Sequence, residues 1–135
     1  MNREIKFRGF QKTWIFGGIT VFENEATIFD IDCIANSAYE VDIKSIGQFT
    51  GLKDKNGVEI YEGDICEITL RKKYGHQFDN KKAIVGVVEF GRITVKENSL
   101  YVYNAFHIKG NSISYYQELE VVGNIYQNPE LLATI

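Results

Sequence analysis

The stretch GQFTGLKDKNGVEIYEGDI, Gly47 to Ile65, carries the densest structural signals in the chain. Apolar and polar residues alternate on both sides of Asp54-Lys55-Asn56-Gly57. Asparagine and glycine tolerate φ > 0, so Asn56-Gly57 turns the chain and its flanks pair as a β-hairpin. The run VEIYEGDICEITL, Val58 to Leu70, is the longest strand pattern. Gly63 interrupts it and marks a bulge or a sharp bend where a strand changes partners. Gly47 and Gly51 fit tight chain paths. Three carboxylates, Glu59, Glu62 and Asp64, cluster around Gly63.

Working toward the N-terminus, the same period-2 pattern recurs. Ile5 and Phe7 alternate with Lys6 and Arg8, which reads as a short strand. TWIFGGITVF, Thr13 to Phe22, holds two apolar runs around Gly17-Gly18, a pair suited to a two-residue hairpin turn. ATIFDIDCI, Ala26 to Ile34, sets Phe29, Ile31 and Cys33 on a dry face and Asp30 and Asp32 on a wet one. After the polar break Ala35 to Tyr39, EVDIKSIGQF resumes the alternation at Val41.

Working toward the C-terminus, RKKYGHQFDNKK, Arg71 to Lys82, is polar and basic and reads as a loop or a long hairpin tip. AIVGVVEF, Ala83 to Phe90, is a dense strand. ITVKEN, SLYVYNAFHI, NSISYYQ and LEVVGNI follow as shorter ones. NPELL begins a short helix, with Asn128 as N-cap, Pro129 at the first helical position and Glu130 at the positive end of the dipole. Short strands with turn signals every eight to twelve residues predict an all-β barrel or sandwich. No strand–helix alternation of a doubly wound fold is present.

The 135 residues suit one domain with its own core. Nine Phe, eight Tyr and one Trp, with a single Pro, favour half-buried strands over helices. A net charge of −3 argues against general nucleic-acid binding but leaves room for a local basic patch. Cys33 and Cys66 each lie in an apolar run and read as reduced core residues of a cytosolic protein. The start MNREIKFRGF has no apolar h-region, and no run reaches the roughly 20 apolar residues of a membrane span.

Motifs for common chemistries are missing from the sequence: GxxxxGK, GxGxxG, HExxH, CxxC and GxSxG do not occur. His76 and His107 share no motif. Asp54-Lys55-Asn56-Gly57 starts like a calcium loop, but its glycine comes two residues too early. No cofactor and no metal are expected, and the chain is not expected to be an enzyme. Glu59, Glu62 and Asp64 are the candidate acidic cluster for acid/base or metal chemistry, weighed against strand-end carboxylates that cap amides or face water. Asp30 and Asp32 share a strand face and read as the wet side of an edge strand. Arg71, Lys72, Lys73, Tyr74, Lys81 and Lys82, with His76 and Phe78 among them, mix cations with rings. That mixture can track phosphates and stack bases, or form a solvated loop. Trp14, Phe16 and Phe22, and Tyr101, Tyr103, Tyr115 and Tyr116, form two aromatic sets best read as core.

IGQFTGLKDKNGVEIYEGDI, Ile46 to Ile65, resembles the signature of the YopX family, small proteins encoded by bacteriophages and prophages. REIKFRGF, the WIFGG segment and the closing VVGNIYQNPELL resemble the ends of the same family. The resemblance implies an all-β domain with an SH3-type barrel core, a phage or prophage origin and a bacterial host cytoplasm. It supplies no activity and no catalytic residue. The expected architecture is therefore a single domain over residues 1–135. It has an N-terminal strand and hairpin region at 1–45, an SH3-like barrel core at 46–135, and a short C-terminal helical turn. Asn56, Gly57 and Gly63 serve as structural turns. The expected function is binding of another macromolecule, a protein partner or a second copy of the chain, with nucleic acid held by the basic segment 71–82 as the alternative.

Overall fold

A computed structural model describes residues 4–30, 37–74, 77–94, 102–108, 111–112 and 118–134. Eleven strands lie among them: β1 (Phe7–Phe10), β2 (Trp14–Phe22), β3 (Glu25–Asp30), β4 (Ala38–Val41), β5 (Gly47–Lys53), β6 (Glu59–Tyr61), β7 (Asp64–Tyr74), β8 (Gln77–Thr94), β9 (Val102–Ile108), β10 (Asn111–Ser112) and β11 (Glu118–Asn124). The helical elements described are two short 3-10 turns, Ile43–Ser45 and Pro129–Thr134. All strand pairs are antiparallel. They form a six-stranded sheet in the order β4-β3-β2-β1-β5-β6 and a five-stranded sheet in the order β10-β9-β8-β7-β11.

Among the described residues neither sheet closes into a barrel, which differs from the SH3-type barrel core that the family resemblance implied. The reason is visible at β6. This edge strand is three residues long, and the Asp64 carboxylate, not a further strand, accepts the N–H of Tyr61 at 2.8 Å. Two apolar clusters form, one within the first sheet and one in which Ile60 of β6 joins residues of the second sheet. Ile15, Ala26, Ile28 and Val41 pack on the first. Ile60, Ile68, Val88 and Ile108 are fully buried in the second. Burying each such side chain stabilises by about 1.5–3 kcal/mol.

The hairpin at Asn56-Gly57 forms as its residues dictate. β5 pairs with β6, Phe49 opposite Tyr61 and Lys53 opposite Glu59. Gly57 sits at φ 83° and Gly63 at φ 92°. The two glycines differ in what they are needed for from Gly47, where a Cβ would lie 2.1 Å from the carbonyl oxygen of Glu62. The space around Gly57 is open. Gly47→Ala should therefore cost about 3 kcal/mol through forced separation of β5 from the β6–β7 turn. Gly57→Ala should cost only about 1 kcal/mol of left-handed strain. Chemical denaturation of both variants checks the order; equal losses would contradict it.

Several local expectations are corrected. Gly17-Gly18 is not a turn, because β2 runs through both and the hairpin turns at Glu23-Asn24, with Glu23 at φ 54°. In β3 the dry face carries Ala26 and Ile28, and Phe29 is 48% exposed. Cover decides this: Ile15 and Val41 join Ala26 and Ile28 in one buried cluster. The alternation expected through EVDIKSIGQF breaks at the 3-10 turn Ile43–Ser45, where Asp42 accepts the N–H of Lys44. Of the two readings of segment 71–82, loop or hairpin tip, the strand pairing of residues 71–74 with 77–82 as β7 and β8 matches the hairpin, and β8 continues unbroken across Gly91. The closing turn is helical at Pro129, but the Asn128 side chain reaches back to the N–H of Asn124.

Candidate functional site

The Gly63 turn places the three candidate carboxylates of the opening hairpin in three different settings. Asp64 starts β7 and is 1% exposed. Its Oδ1 accepts from Nη2 of Arg8 at 2.7 Å, and its Oδ2 from the Tyr61 N–H. Glu59 lies on β6, where it pairs with Lys6 Nζ at 2.7 Å and accepts from the Tyr61 hydroxyl at 3.3 Å. Glu62 has no ion pair or side-chain hydrogen bond among the described residues. The cluster therefore does not converge on one point. Among the described residues no three His, Cys, Asp or Glu side chains stand together as metal ligands.

Arg8, one of the charged residues that alternate with apolar ones in the first strand, is 8% exposed. Its guanidinium lies between two rings, 4.4 Å from the Trp14 centroid and 4.9 Å from that of Tyr61. Phe49 stacks against Tyr61 at 5.4 Å, and Lys6 lies 4.8 Å above Phe49. Lys6, Phe49, Tyr61, Arg8 and Trp14 thus form one contiguous knot of cations and rings, and its three cation–ring contacts draw on the attraction of ring faces for positive charge. The C-terminal segment closes the row. Asn124 accepts the N–H groups of Tyr126 and Gln127, which holds this turn in place. Gln127 then accepts from Trp14 Nε1 at 3.1 Å, and the Tyr126 ring meets Phe10 and Trp14.

Burial pushes the Asp64 carboxyl up, and the charge of Arg8 and the Tyr61 N–H only partly offset it. Burial also works against the charge on Lys6, but Glu59 and Glu4 outweigh it and hold the ammonium above its ordinary value. The Tyr61 hydroxyl is raised, first by burial and then by Glu59. Burial with the Asp64 charge pushes the Cys66 thiol up to about 12, so Cys66 is a core residue without a thiolate near neutral pH. Every shift here has a structural cause within the knot, and none sets up an acid/base pair at an open cleft.

Asp54 is the other buried acid that the pattern did not mark. Its Oδ1 accepts from the N–H of Asn56 and Val58, and its Oδ2 from Val121 N–H at 3.0 Å. It closes the hairpin turn and ties it to β11.

The aromatic sets divide. Trp14 is half-buried in the knot, whereas Phe16 borders Tyr61 at its edge and Phe22 is 72% exposed, not core. For the second set, Tyr101, Tyr115 and Tyr116 lie outside the described residues, as do Asp32, Cys33 and His76. Arg71, Lys72, Lys73, Tyr74, Lys81 and Lys82 are placed by backbone alone. Lys72 is opposite Asp79, Lys73 opposite Phe78, Tyr74 opposite Gln77 and Lys82 opposite Leu70. This hairpin brings the two basic stretches onto neighbouring strands.

A shallow groove of about 610 Å³ opens beside the Gly63 turn, with Ile46, Val87, Phe90 and Ile125 as apolar walls and Glu62 and Glu89 as its acids. No sequence signal announced it, because its walls come from four separate segments.

With this hairpin, turn and closing segment in view, the sequence profile described as YopX protein matches residues 6–133. The chain belongs to the YopX family. The match covers the opening hairpin, the Arg8–Asp64 pair and the closing Asn124–Asn128 turn. A solved structure similar to this YopX-family chain is "Crystal structure of protein EF1440 from Enterococcus faecalis". It shares 26% identity over 97% of this chain and 99% of that one, with a TM-score of 0.48. No curated protein matches the chain. No helix among the described residues is long and apolar enough to cross a membrane.

Proposed function

We propose that this YopX-family chain is a non-enzymatic binding module whose ligand is another protein. One observation carries the reading. The outer face of the first sheet leaves Phe22 and Phe29 exposed, at 72% and 48%, with Phe16 at 37% on the same face. Gly18 lies opposite Phe29 and has nothing within 4 Å of where its Cβ would be. Exposed aromatic rings grouped on a sheet face mark interaction surfaces. The SH3-type arrangement implied for residues 46–135 is compatible with a binding role, by analogy only. A phage or prophage origin directs the search for a partner to the bacterial cytoplasm.

Affinity capture from host cells, with cross-linking to locate the contact, tests the reading. A protein retained by the wild type and released by Phe22→Ser with Phe29→Ser is the expected result. A monomer by light scattering that retains no protein would overturn it. A dimer dispersed by the same pair of substitutions would make a second copy the ligand.

Nucleic acid is the second reading, favoured by the β7–β8 hairpin that gathers Arg71, Lys72, Lys73, Lys81 and Lys82 onto adjacent strands. It predicts retardation of labelled DNA or RNA that weakens about tenfold or more between low and physiological salt. Neutralising Lys72, Lys73, Lys81 and Lys82 should flatten that salt dependence. Binding insensitive to salt, or none, removes it.

A further inference from the structure

The groove beside Gly63 lies where one strand outruns its neighbour. β7 pairs with β8 only as far as Ile65 opposite Val87. Beyond that point β8 continues to Thr94 with β9 on one side. The carbonyl of Val88 points to the β7 side, where it accepts the N–H of Gly63 at 2.9 Å. Backbone groups two residues apart on a strand point the same way. The N–H and C=O of Phe90 therefore face the side that β7 has left, and no described strand pairs with them there. An unpaired strand edge is a template for another extended segment.

The side chains around this edge specify what could pair with it. Phe90 is 50% exposed and stacks on Phe106 at 4.9 Å, so its ring stands at the end of the second sheet's core. Ile125 is exposed on the opposite wall, and Ile46 and Val87 complete an apolar lining. Glu62 and Glu89 are the charges of the groove, and neither has an ion pair among the described residues. Lys6, Arg8 and Lys55 are all engaged by other acids.

We infer that this groove binds an extended peptide segment of a partner protein by strand addition to the β8 edge at Phe90. The segment has apolar side chains at alternate positions, seated against Phe90 and Ile125, and a lysine or arginine that meets Glu62 and Glu89. Main-chain hydrogen bonds supply the pairing, and alternate side chains supply the choice of sequence. The charge complement follows from two carboxylates beside an apolar wall: an acidic segment would be repelled, and a neutral one would leave both acids unanswered. This inference rests on the protein-binding reading and names a site for it apart from the Phe22 and Phe29 face.

The test presents the full chain to an array of random decapeptides. Selected peptides should alternate β-branched or aromatic residues with other residues and contain lysine or arginine. N-methylation of the selected peptide at alternate backbone amides should weaken binding at least tenfold, while methylation at the intervening amides should change it little. The Glu62→Lys, Glu89→Lys double variant should lose at least tenfold in affinity for these peptides. Both side chains lie outside the core, so an unchanged melting temperature confirms that the variant is folded. Selection of peptides without basic residues, indifference to N-methylation, or equal affinity of the double variant would each overturn the inference. So would a dimer that the double variant disperses, or displacement of bound peptide by single-stranded DNA or RNA. If capture succeeds through Phe22 and Phe29 while the array yields nothing, the groove falls and the binding module stands. If both fail, both fall.

Discussion

Asp64→Ala is expected to destabilise the fold by about 3–5 kcal/mol, the cost of stranding one member of a buried ion pair. Asp64 is 1% exposed and Arg8 is 8% exposed, so water cannot replace the lost carboxylate at the guanidinium. The Tyr61 N–H loses its acceptor in the same step. Arg8 Nε is already buried without a hydrogen-bond partner among the described residues, so the arginine has little reserve when Nη2 is released. A domain with about 5–15 kcal/mol of total stability would lose a large part of it. Thermal melts should fall by roughly 10 °C or more. The pair itself is a weaker source of stability than its breakage suggests, because charge burial costs nearly what pairing returns. The Arg8→Met, Asp64→Leu double variant should therefore recover much of the single-variant loss. A single-variant loss below about 1 kcal/mol, or a double variant no better than Asp64→Ala, would contradict this account of the knot.

Asp54→Ala should cost about 3–5 kcal/mol, since three backbone N–H groups lose their acceptor together. Two of them, at Asn56 and Val58, shape the hairpin turn, and the third, at Val121, joins it to β11. Asp54→Asn should lose less. It keeps one oxygen for the turn but presents an NH2 group, a donor, where one of the carboxylate oxygens accepted. The acid range separates these roles. Burial works to raise the Asp54 pKa, but the N–H groups of Val121, Val58 and Asn56 outweigh it and hold it below its ordinary 3.8. A lowered folded pKa means that the unfolded chain takes up the proton first as pH falls. The carboxylate's contribution is thus complete above about pH 4–5 and is lost as pH drops through the folded pKa. Urea midpoints of wild type and Asp54→Asn, measured between pH 7 and 2.5, should converge at the acid end. Curves that stay parallel over the whole range would refute this role.

Much of the local organisation was legible because it depends on single residues and their neighbours. The chain turns at Gly57 and bends at Gly63, where φ is positive, and both strands beside the turn alternate as β residues do. Pro129 starts the closing turn for an equally local reason. Elsewhere, local signals misled. Gly17-Gly18 has the chemistry of a turn, yet β1 and β3 pair with β2 on both sides of Gly17 and keep it extended. Phe29 has a core residue's chemistry, yet it is 48% exposed, away from the part of the same face that the closing segment covers. Arg8 has a surface residue's chemistry, yet the closing segment folds over its face and buries it between Trp14 and Tyr61.

The sequence by itself determined the all-β class, the position of the decisive hairpin and membership of the YopX family, because period-2 patterning and turn chemistry act over a few residues. Tertiary structure alone decided which face of each strand is dry. It also decided that Glu59 pairs with Lys6 and Asp64 with Arg8 while Glu62 joins neither pair, and that β8 runs on past the end of its pairing with β7. Those outcomes depend on contacts between separate segments, some of them far apart in the chain, such as Arg8 with Asp64 and Asp54 with Val121. Burial, and with it the meaning of a charge or a ring, is a property of what covers a residue, and the cover comes from elsewhere in the chain.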